Sequence, residues 1–248
     1  MKKFTAARAL ILAFAFLVPT GRAQDKVMKP AAQAAAAHFA TLNGLDLAKI
    51  LPPPPAPGAL AAQADLETVL QVQAARTHEQ MGWAKVIDKN DLFAAFGAGG
   101  LLGPQFNQEN FPLLIALLKD ANEDLRPLVD ASKKQYARPR PYKTDGRVQP
   151  CVALPANDSY PSGHTYGAYL RAAVLAEIFP EKRAEVFDRA RYVAWGRVIG
   201  GVHFPTDLEG GRRLAEAGFA ELKKSAAFRA ALEQCRAEAA GLRLKQAA

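Results

Sequence analysis

Hydrophobic positions recur along most of the chain at the three- and four-residue spacing of an α-helix. The clearest series comprises Leu114, Leu117, Leu118, Ala121, Leu125 and Leu128. It predicts an amphipathic helix in which Pro127 either introduces a kink or opens a new turn. This helix is expected to end at residues 138–141, Arg-Pro-Arg-Pro, because a residue that precedes proline avoids the helical conformation.

Two further helices are predicted in the second half of the chain. The first begins at residues 161–164, Pro-Ser-Gly-His, with Ser162 as its N-cap, and stops at Pro180. The second begins near Glu181 and loosens at Gly200 and Gly201. One face of this second helix carries Val186, Ala190, Val193 and Arg197.

A last helix is predicted from around Asp207, because Thr206 and Glu209 match the T-x-x-E capping box. No segment shows the strict alternation of a β-strand, and no internal repeat is visible. The predicted fold class is therefore all-α, a single-domain bundle of about seven to ten helices.

The N-terminal segment has the pattern of an export signal. Basic residues precede the apolar run Ala9–Val18, and small residues at Gly21 and Ala23 fit cleavage before Gln24. The alternative is an uncleaved anchor helix. Cleavage predicts a periplasmic protein with a signal peptide at 1–23, an N-terminal helix and proline-rich arm at 24–60, and a helical domain at 61–248. The mature chain has no apolar run long enough to span a membrane.

Charge and cysteine content refine this picture. The net charge of +8 falls to +4 without the signal, since 28 basic and 24 acidic residues remain. This weakens any case for nucleic-acid binding. Export places the chain in an oxidising compartment, where its two cysteines, Cys151 and Cys235, are expected to form a disulfide.

Three clusters of residues carry candidate chemistry. The first is Lys133, six intervening residues, and Arg140-Pro141; the second is residues 161–164, Pro-Ser-Gly-His; the third is Arg197, His203 and Asp207. The cations suit a tetrahedral oxyanion. A helix N-terminus at Ser162 and Gly163 also favours an anion.

The histidines add the means for group transfer. Asp207 follows His203 by four residues and is placed to hold one imidazole nitrogen while the other faces an electrophile. His164 supplies a second imidazole for proton transfer. Each signal alone also fits a structural role, such as a solvated basic loop around Lys133 or a structural bond between His203 and Asp207.

In their order and spacing, the three clusters resemble the signature of the type 2 phosphatidic acid phosphatase superfamily, K-x6-R-P, P-S-G-H and S-R-x5-H-x3-D. Gly196 departs from it, since the motif usually has serine there. From about Leu45 to Ala231 the chain is similar to the class A bacterial non-specific acid phosphatases. The segment 51–55, the run 138–142 and Ser159-Tyr160 carry that similarity, while Asp158 stands where those enzymes often have glycine.

The resemblance implies a fold of the phosphatidic acid phosphatase and vanadium haloperoxidase type. It implies a secreted, metal-independent acid phosphatase of broad specificity for small phosphomonoesters, with phosphotransfer to alcohols as an added activity. His203 would be the nucleophile, Asp207 its orienting partner and His164 the acid and base. The phosphoryl oxygens would be held by Lys133, Arg140, Ser162, Gly163 and Arg197.

Neither a metal nor a cofactor is expected, because the clusters contain no group of carboxylates for an ion. Members of this family are often oligomeric, so a homo-oligomer stays open. Three alternatives also stay open: a vanadium-dependent haloperoxidase, a membrane lipid phosphatase, and a non-enzymatic exported protein that only captures anions. Turnover of p-nitrophenyl phosphate distinguishes the last of these from an enzyme.

Overall fold

Ten α-helices and two short 3₁₀ segments make up the regular structure of the residues that the computed structural model describes, 38–40 and 45–247. The α-helices are α1 (Leu47–Ile50), α2 (Leu60–Ala75), α3 (His78–Asp88), α4 (Leu92–Phe96), α5 (Pro112–Tyr136), α6 (Pro141–Thr144), α7 (Gly163–Ile178), α8 (Arg183–Ile199), α9 (Pro205–Leu222) and α10 (Ala226–Ala247). The 3₁₀ segments are Ala98–Gly100 and Pro180–Lys182. These residues belong to one unit, Ala37–Ala248, and the predicted all-α fold class is confirmed.

Helix α7 is the central element of this unit. It packs against α5, α8, α9 and α10, and most of its side chains are buried. A helix that is apolar on most sides can lie only inside a core. The N-terminus of α7, which carries the predicted residues Ser162, Gly163 and His164, is therefore held firmly by its neighbours.

A glycine brings α9 close to that N-terminus. A Cβ atom at Gly211 would lie 2.5 Å from the carbonyl oxygen of Ser162 and 2.9 Å from Cβ of Thr165. Any larger residue would push the two helices apart. The contact fixes the first turn of α9, and with it Asp207, against the start of α7.

Most of the predicted helix boundaries are confirmed. Ser162 is the N-cap of α7, its hydroxyl accepting a hydrogen bond from the amide of Thr165. Helix α7 ends at Ile178, just before Pro180, and α8 follows the intervening 3₁₀ turn. Helix α5 runs through Pro127 and ends at Tyr136, ahead of the Arg-Pro-Arg-Pro run.

The predicted capping box at Thr206 and Glu209 is wrong. Helix α9 begins at Pro205, where a residue without an N–H group is well suited to the first helical position. The carboxylate of Asp207 accepts from the amide of Phe204 at 2.9 Å. Thr206 instead donates its hydroxyl to Asp65 on α2, and Glu209 pairs with arginines of the next turn.

The predicted disulfide is also wrong, because both cysteines are free thiols. Cys235 lies on α10 within the apolar core, where burial raises the pKa of its thiol to about 12. Cys151 lies in the loop before α7, and its thiol donates to the carbonyl oxygen of Ile199 at 3.6 Å. The two sulfur atoms therefore contact different parts of the protein and are not bonded to each other.

The proline-rich arm lies on the surface of the unit and is anchored at its start. Leu51 is fully buried, and the hydroxyls of Tyr136 and Tyr160 donate to the carbonyl oxygens of Leu51 and Pro52 at 2.8 and 2.7 Å. The predicted signal peptide at 1–23 lies outside the described residues, and so do residues 24–37 of the predicted N-terminal helix and arm. Among the described helices, none combines the length and apolarity needed to cross a bilayer.

Candidate active site

His203 lies just before α9 and is almost fully buried. Its Nδ1 atom is 3.2 Å from Oδ2 of Asp207, and its Nε2 atom is 3.1 Å from Nη1 of Arg140. A guanidinium group can only donate, so Nε2 must accept and the ring proton must sit on Nδ1, facing the carboxylate. This assigns the tautomer from its partners: a neutral imidazole with its lone pair on Nε2.

The environment keeps this imidazole neutral. Burial lowers the pKa of His203 well below its ordinary value, and the charges of Arg140 and Lys133 act in the same direction. The hydrogen bond to Asp207 opposes them. The lowered pKa favours the uncharged ring, as attack on an electrophile requires.

Asp207 is completely buried and has four donors around it. Ser159 donates its hydroxyl at 2.5 Å, and Arg138 donates at 2.7 Å to the other carboxylate oxygen; His203 and the Phe204 amide supply the rest. Burial would raise the pKa of this carboxyl, but the hydrogen bonds from His203 and Ser159 and the charge of Arg138 bring it to about 2. Asp207 is thus a fixed anion that orients His203.

Two of the predicted cations border the loop before α7. Lys133 donates to the carbonyl oxygens of Asp158 and Ser159, at 2.5 and 3.3 Å. Arg140 donates to the carbonyl oxygens of Asn157 and Val202, each at 2.7 Å. These bonds place both cations beside His203. Asp158, which departs from the family pattern, contacts Lys133 through its backbone carbonyl oxygen.

Arg197 provides the third cation and has unused donors. Its side chain is fully buried on α8, and Nη1 donates to Asp88 at 2.6 Å. Among the described residues, its Nε and Nη2 atoms have no hydrogen-bond partner. Buried, unpaired guanidinium donors are costly, and these two are available to donate to an anion.

His164 is linked to Arg197 through the same acidic residue. Its Nε2 atom lies 3.2 Å from the carbonyl oxygen of Asp88. Burial, aided by the charge of Arg197, lowers the pKa of His164 to about 4. The ring is therefore neutral in the free protein near neutral pH, and a bound anion would restore its proton.

A backbone bond joins the second and third clusters. The amide of Ser162 donates to the carbonyl oxygen of Asp207 at 2.9 Å. The amide of Gly163 opens α7, so it has no partner within that helix. The structure thus brings the predicted residues of all three clusters into one connected site.

Four residues of this site were not assigned a role from the sequence: Asp65, Asp88, Arg138 and Ser159. Arg138 joins Asp207 to Asp65 on α2, with 2.7 Å to each carboxylate. Arg138 and Ser159 stand inside segments already noted for the resemblance, which was an available signal. Asp65 and Asp88 lie far from the motifs in the sequence, and nothing local marks them.

Gly196, the departure from the motif, packs against α3. A Cβ atom there would lie 2.0 Å from Cδ1 of Ile87. A serine at this position would therefore require the end of the Ile87 side chain to move.

One group of side chains in the described part of the chain could hold a metal ion: His38, Asp120 and Glu123. It is exposed or half-exposed and shares no residue with the site described above.

Anion binding at this site should depend on pH through Lys133. Burial and the nearby Arg140 lower the pKa of its ammonium group to about 7. A lowered pKa means that the charge is present below pH 7 and is lost as pH rises through it. We expect the Kd for sulfate to rise roughly tenfold per pH unit above 7, because one cation is lost.

Calorimetric titration with sulfate between pH 5 and 9 measures this effect. Lys133→Arg is the matched control, since guanidinium stays charged over that range, and above pH 7 its Kd should rise less steeply than that of the wild type. A wild-type Kd that does not change with pH would show that Lys133 does not contribute the titrating charge.

Comparisons with known proteins give a family match and two similar relatives. The family model of the PAP2 superfamily matches residues 113–226. A non-specific acid phosphatase from Providencia stuartii is 30% identical over 211 residues, which cover 81% of this chain and 84% of the relative. Another from Salmonella typhimurium is 31% identical over 196 residues, covering 76% and 78% of the two chains.

A solved structure shows the same fold. An apo bacterial vanadium-dependent chloroperoxidase superposes with a TM-score of 0.55 and 12% identity, over 75% of this chain and 53% of that chain. At this identity the likeness concerns the fold alone.

Proposed function

Since the chain belongs to the PAP2 superfamily and is a phosphomonoester hydrolase related to the non-specific acid phosphatases, we propose that it acts through a phosphohistidine formed on His203. The observation that carries this proposal is the buried, neutral imidazole of His203, with its lone pair on Nε2. The substrates are small phosphomonoesters of broad structure.

The cations hold the phosphoryl group for attack. Arg197 offers the Nε and Nη2 donors that lack partners among the described residues, and Arg140 and Lys133 supply the other two cations. The amide of Gly163 and the dipole of α7 add to the positive potential. Such preorganised donors stabilise charge that develops on the transferring phosphoryl oxygens.

In the first step, Arg140 turns its Nη1 donor from Nε2 of His203 to the phosphoryl oxygens. Nε2 then gives its lone pair to phosphorus while the ester P–O bond breaks. His164 passes a proton to the leaving oxygen, so the alcohol departs neutral. The phosphorylated imidazole is cationic, and the Asp207 carboxylate stabilises it. In the free protein the pKa of His164 is about 4, so the bound, negatively charged substrate must raise it for this step.

In the second step, neutral His164 takes a proton from water as the water oxygen attacks phosphorus. The P–N bond breaks, its electron pair returns to Nε2 of His203, and inorganic phosphate is released. An alcohol in place of water would give phosphotransfer, which appears as nitrophenol released in excess of phosphate when glycerol is added.

Export to the periplasm is also part of the proposal. It predicts that the protein purified from the periplasm has the intact mass of a chain that begins at Gln24.

Catalysis should not need a metal ion. Lys133, Arg140 and Arg197 supply the positive charge that the phosphoryl group requires, and the carboxylate of Asp207 is already paired with Arg138 and His203, so it is not free to bind a metal. We expect hydrolysis of p-nitrophenyl phosphate to change by less than about twofold in EDTA. Orthovanadate, which adopts the five-coordinate geometry of the transition state, should inhibit at least about 10²-fold more tightly than orthophosphate. Loss of activity in EDTA that zinc or magnesium restores would contradict the metal-independent mechanism.

A further inference from the structure

A groove lies between α5 and α7. Its volume is about 330 Å³, and it includes Gly163, Tyr166 and Arg171 on α7 and Lys119 and Arg126 on α5. This volume suits a small leaving group. Gly163 is the residue that the groove shares with the phosphoryl site, so a leaving group would enter the groove past Gly163.

The spacing along the helices gives the length of the groove. Arg126 precedes Lys133 by seven residues on α5, which puts it on the same face and about 10 Å away along the axis. Arg171 follows Gly163 by eight residues on α7, about 12 Å along that helix. Cations from both helices therefore lie at a similar distance from the phosphoryl site.

Tyr166 stands between the two ends. Its ring and hydroxyl are 2% exposed, and among the described residues the hydroxyl has no hydrogen-bond partner. Burial raises its pKa, so the hydroxyl stays protonated and can donate. A buried hydroxyl without a partner beside a groove is explained by a ligand that accepts its hydrogen bond.

The charges at the far end are unevenly neutralised. Arg126 is paired with Asp130, Lys119 lies near Glu123, and Asp91 also borders the groove. Arg171 donates to the side-chain and backbone oxygens of Asn90, at 2.9 and 3.0 Å, and both acceptors are neutral. Arg171 is thus the cation best placed to meet an anion.

The geometry points to a substrate class: phosphomonoesters whose leaving group carries a second anionic group, held by Arg171 and Arg126 about 10 Å from the scissile phosphate. This inference rests on the proposed phosphatase function and specifies the substrates of the same site. Tyr166 would donate to an oxygen in the middle of the leaving group.

Two synthetic substrates test this directly. The phosphate monoester of 6-hydroxyhexanoate ends in a carboxylate, and that of hexane-1,6-diol ends in a neutral hydroxyl at nearly the same distance. We expect kcat/KM to be at least about tenfold higher for the carboxylate, as for one added charge-assisted contact. Raising the salt concentration should reduce this preference.

Variants locate the effect. Arg171→Gln and Arg126→Gln should each reduce the carboxylate-to-hydroxyl preference severalfold, and the ratio of the two kcat/KM values is the readout because their charges also act on His164 and Lys133. Arg183→Gln, an exposed arginine on α8 outside the groove, should retain the full preference. Tyr166→Phe should reduce kcat/KM for both substrates without lowering the melting temperature, since the lost hydroxyl had no partner.

The outcomes separate the two proposals. If neither monoester is hydrolysed, the phosphatase function itself fails. If both are hydrolysed with equal kcat/KM, or if the preference survives in Arg171→Gln and Arg126→Gln, the second anion site is wrong while the phosphatase function stands.

Discussion

Replacing His203 by alanine should lower kcat for p-nitrophenyl phosphate by at least about 10⁴-fold, because the change removes the attacking atom itself. The buried ring makes its hydrogen bonds only through Nδ1 to Asp207 and Nε2 to Arg140 in the described structure, apart from a longer approach by Ser159. Steady-state kinetics at acidic pH measure the loss.

The fold must be shown to survive this change. His203→Gln retains a polar side chain of similar length and should be as inactive as the alanine variant. His78→Ala alters an exposed histidine on α3 and should keep full activity. Circular dichroism and melting temperature report the fold of each variant. A folded His203→Ala protein with more than a tenth of wild-type kcat would rule out His203 as the nucleophile.

Replacing His164 by alanine should have an effect that depends on the leaving group. Alkyl phosphates should lose about 10²- to 10⁴-fold in kcat, since an alkoxide must be protonated as it departs. p-Nitrophenyl phosphate has a leaving group stable as an anion, so its phosphorylation of His203 should be much less affected. The observable is the slope of log kcat/KM against the pKa of the leaving alcohol, which should become steeper.

Pre-steady-state kinetics sharpen this test. With His164 absent, the second step lacks its base, so p-nitrophenyl phosphate should give a burst of nitrophenol followed by a slow steady rate. If the variant lost the same factor on every substrate and gave no burst, His164 would not be the acid and base. Its contact with Asp88 would then be only structural.

The central features of the fold were predictable because they depend on local sequence. Ser162 as N-cap of α7 and the stop before Pro180 follow from capping and proline chemistry, which act within a few residues. The order of the three clusters indicated one site, and the structure joins them through the bond from the Ser162 amide to the Asp207 carbonyl and the contact between Arg140 and His203. Capping and proline signals were sufficient to predict the ends of α7, and the three-part motif was sufficient to predict that its residues form one site.

Contacts between distant segments were not predictable in this way. Asp88 and Asp65 become parts of the site only when α3 and α2 pack beside α8 and α9. The capping box at Thr206 failed because Asp65, 141 residues away, takes the threonine hydroxyl. The disulfide failed because Cys235 packs in the apolar core on α10, while Cys151 lies in the loop before α7 against the carbonyl oxygen of Ile199.

The most direct test of the account is to trap the phosphoenzyme and locate the phosphoryl group. Wild-type protein is mixed with p-nitrophenyl phosphate, quenched within milliseconds and digested under alkaline conditions, which preserve phosphohistidine. Peptide mass spectrometry then assigns the site. The account predicts phosphate on His203, more of it in His164→Ala, and none in His203→Ala. Phosphate on His164, or a phosphoenzyme that still forms without His203, would contradict it.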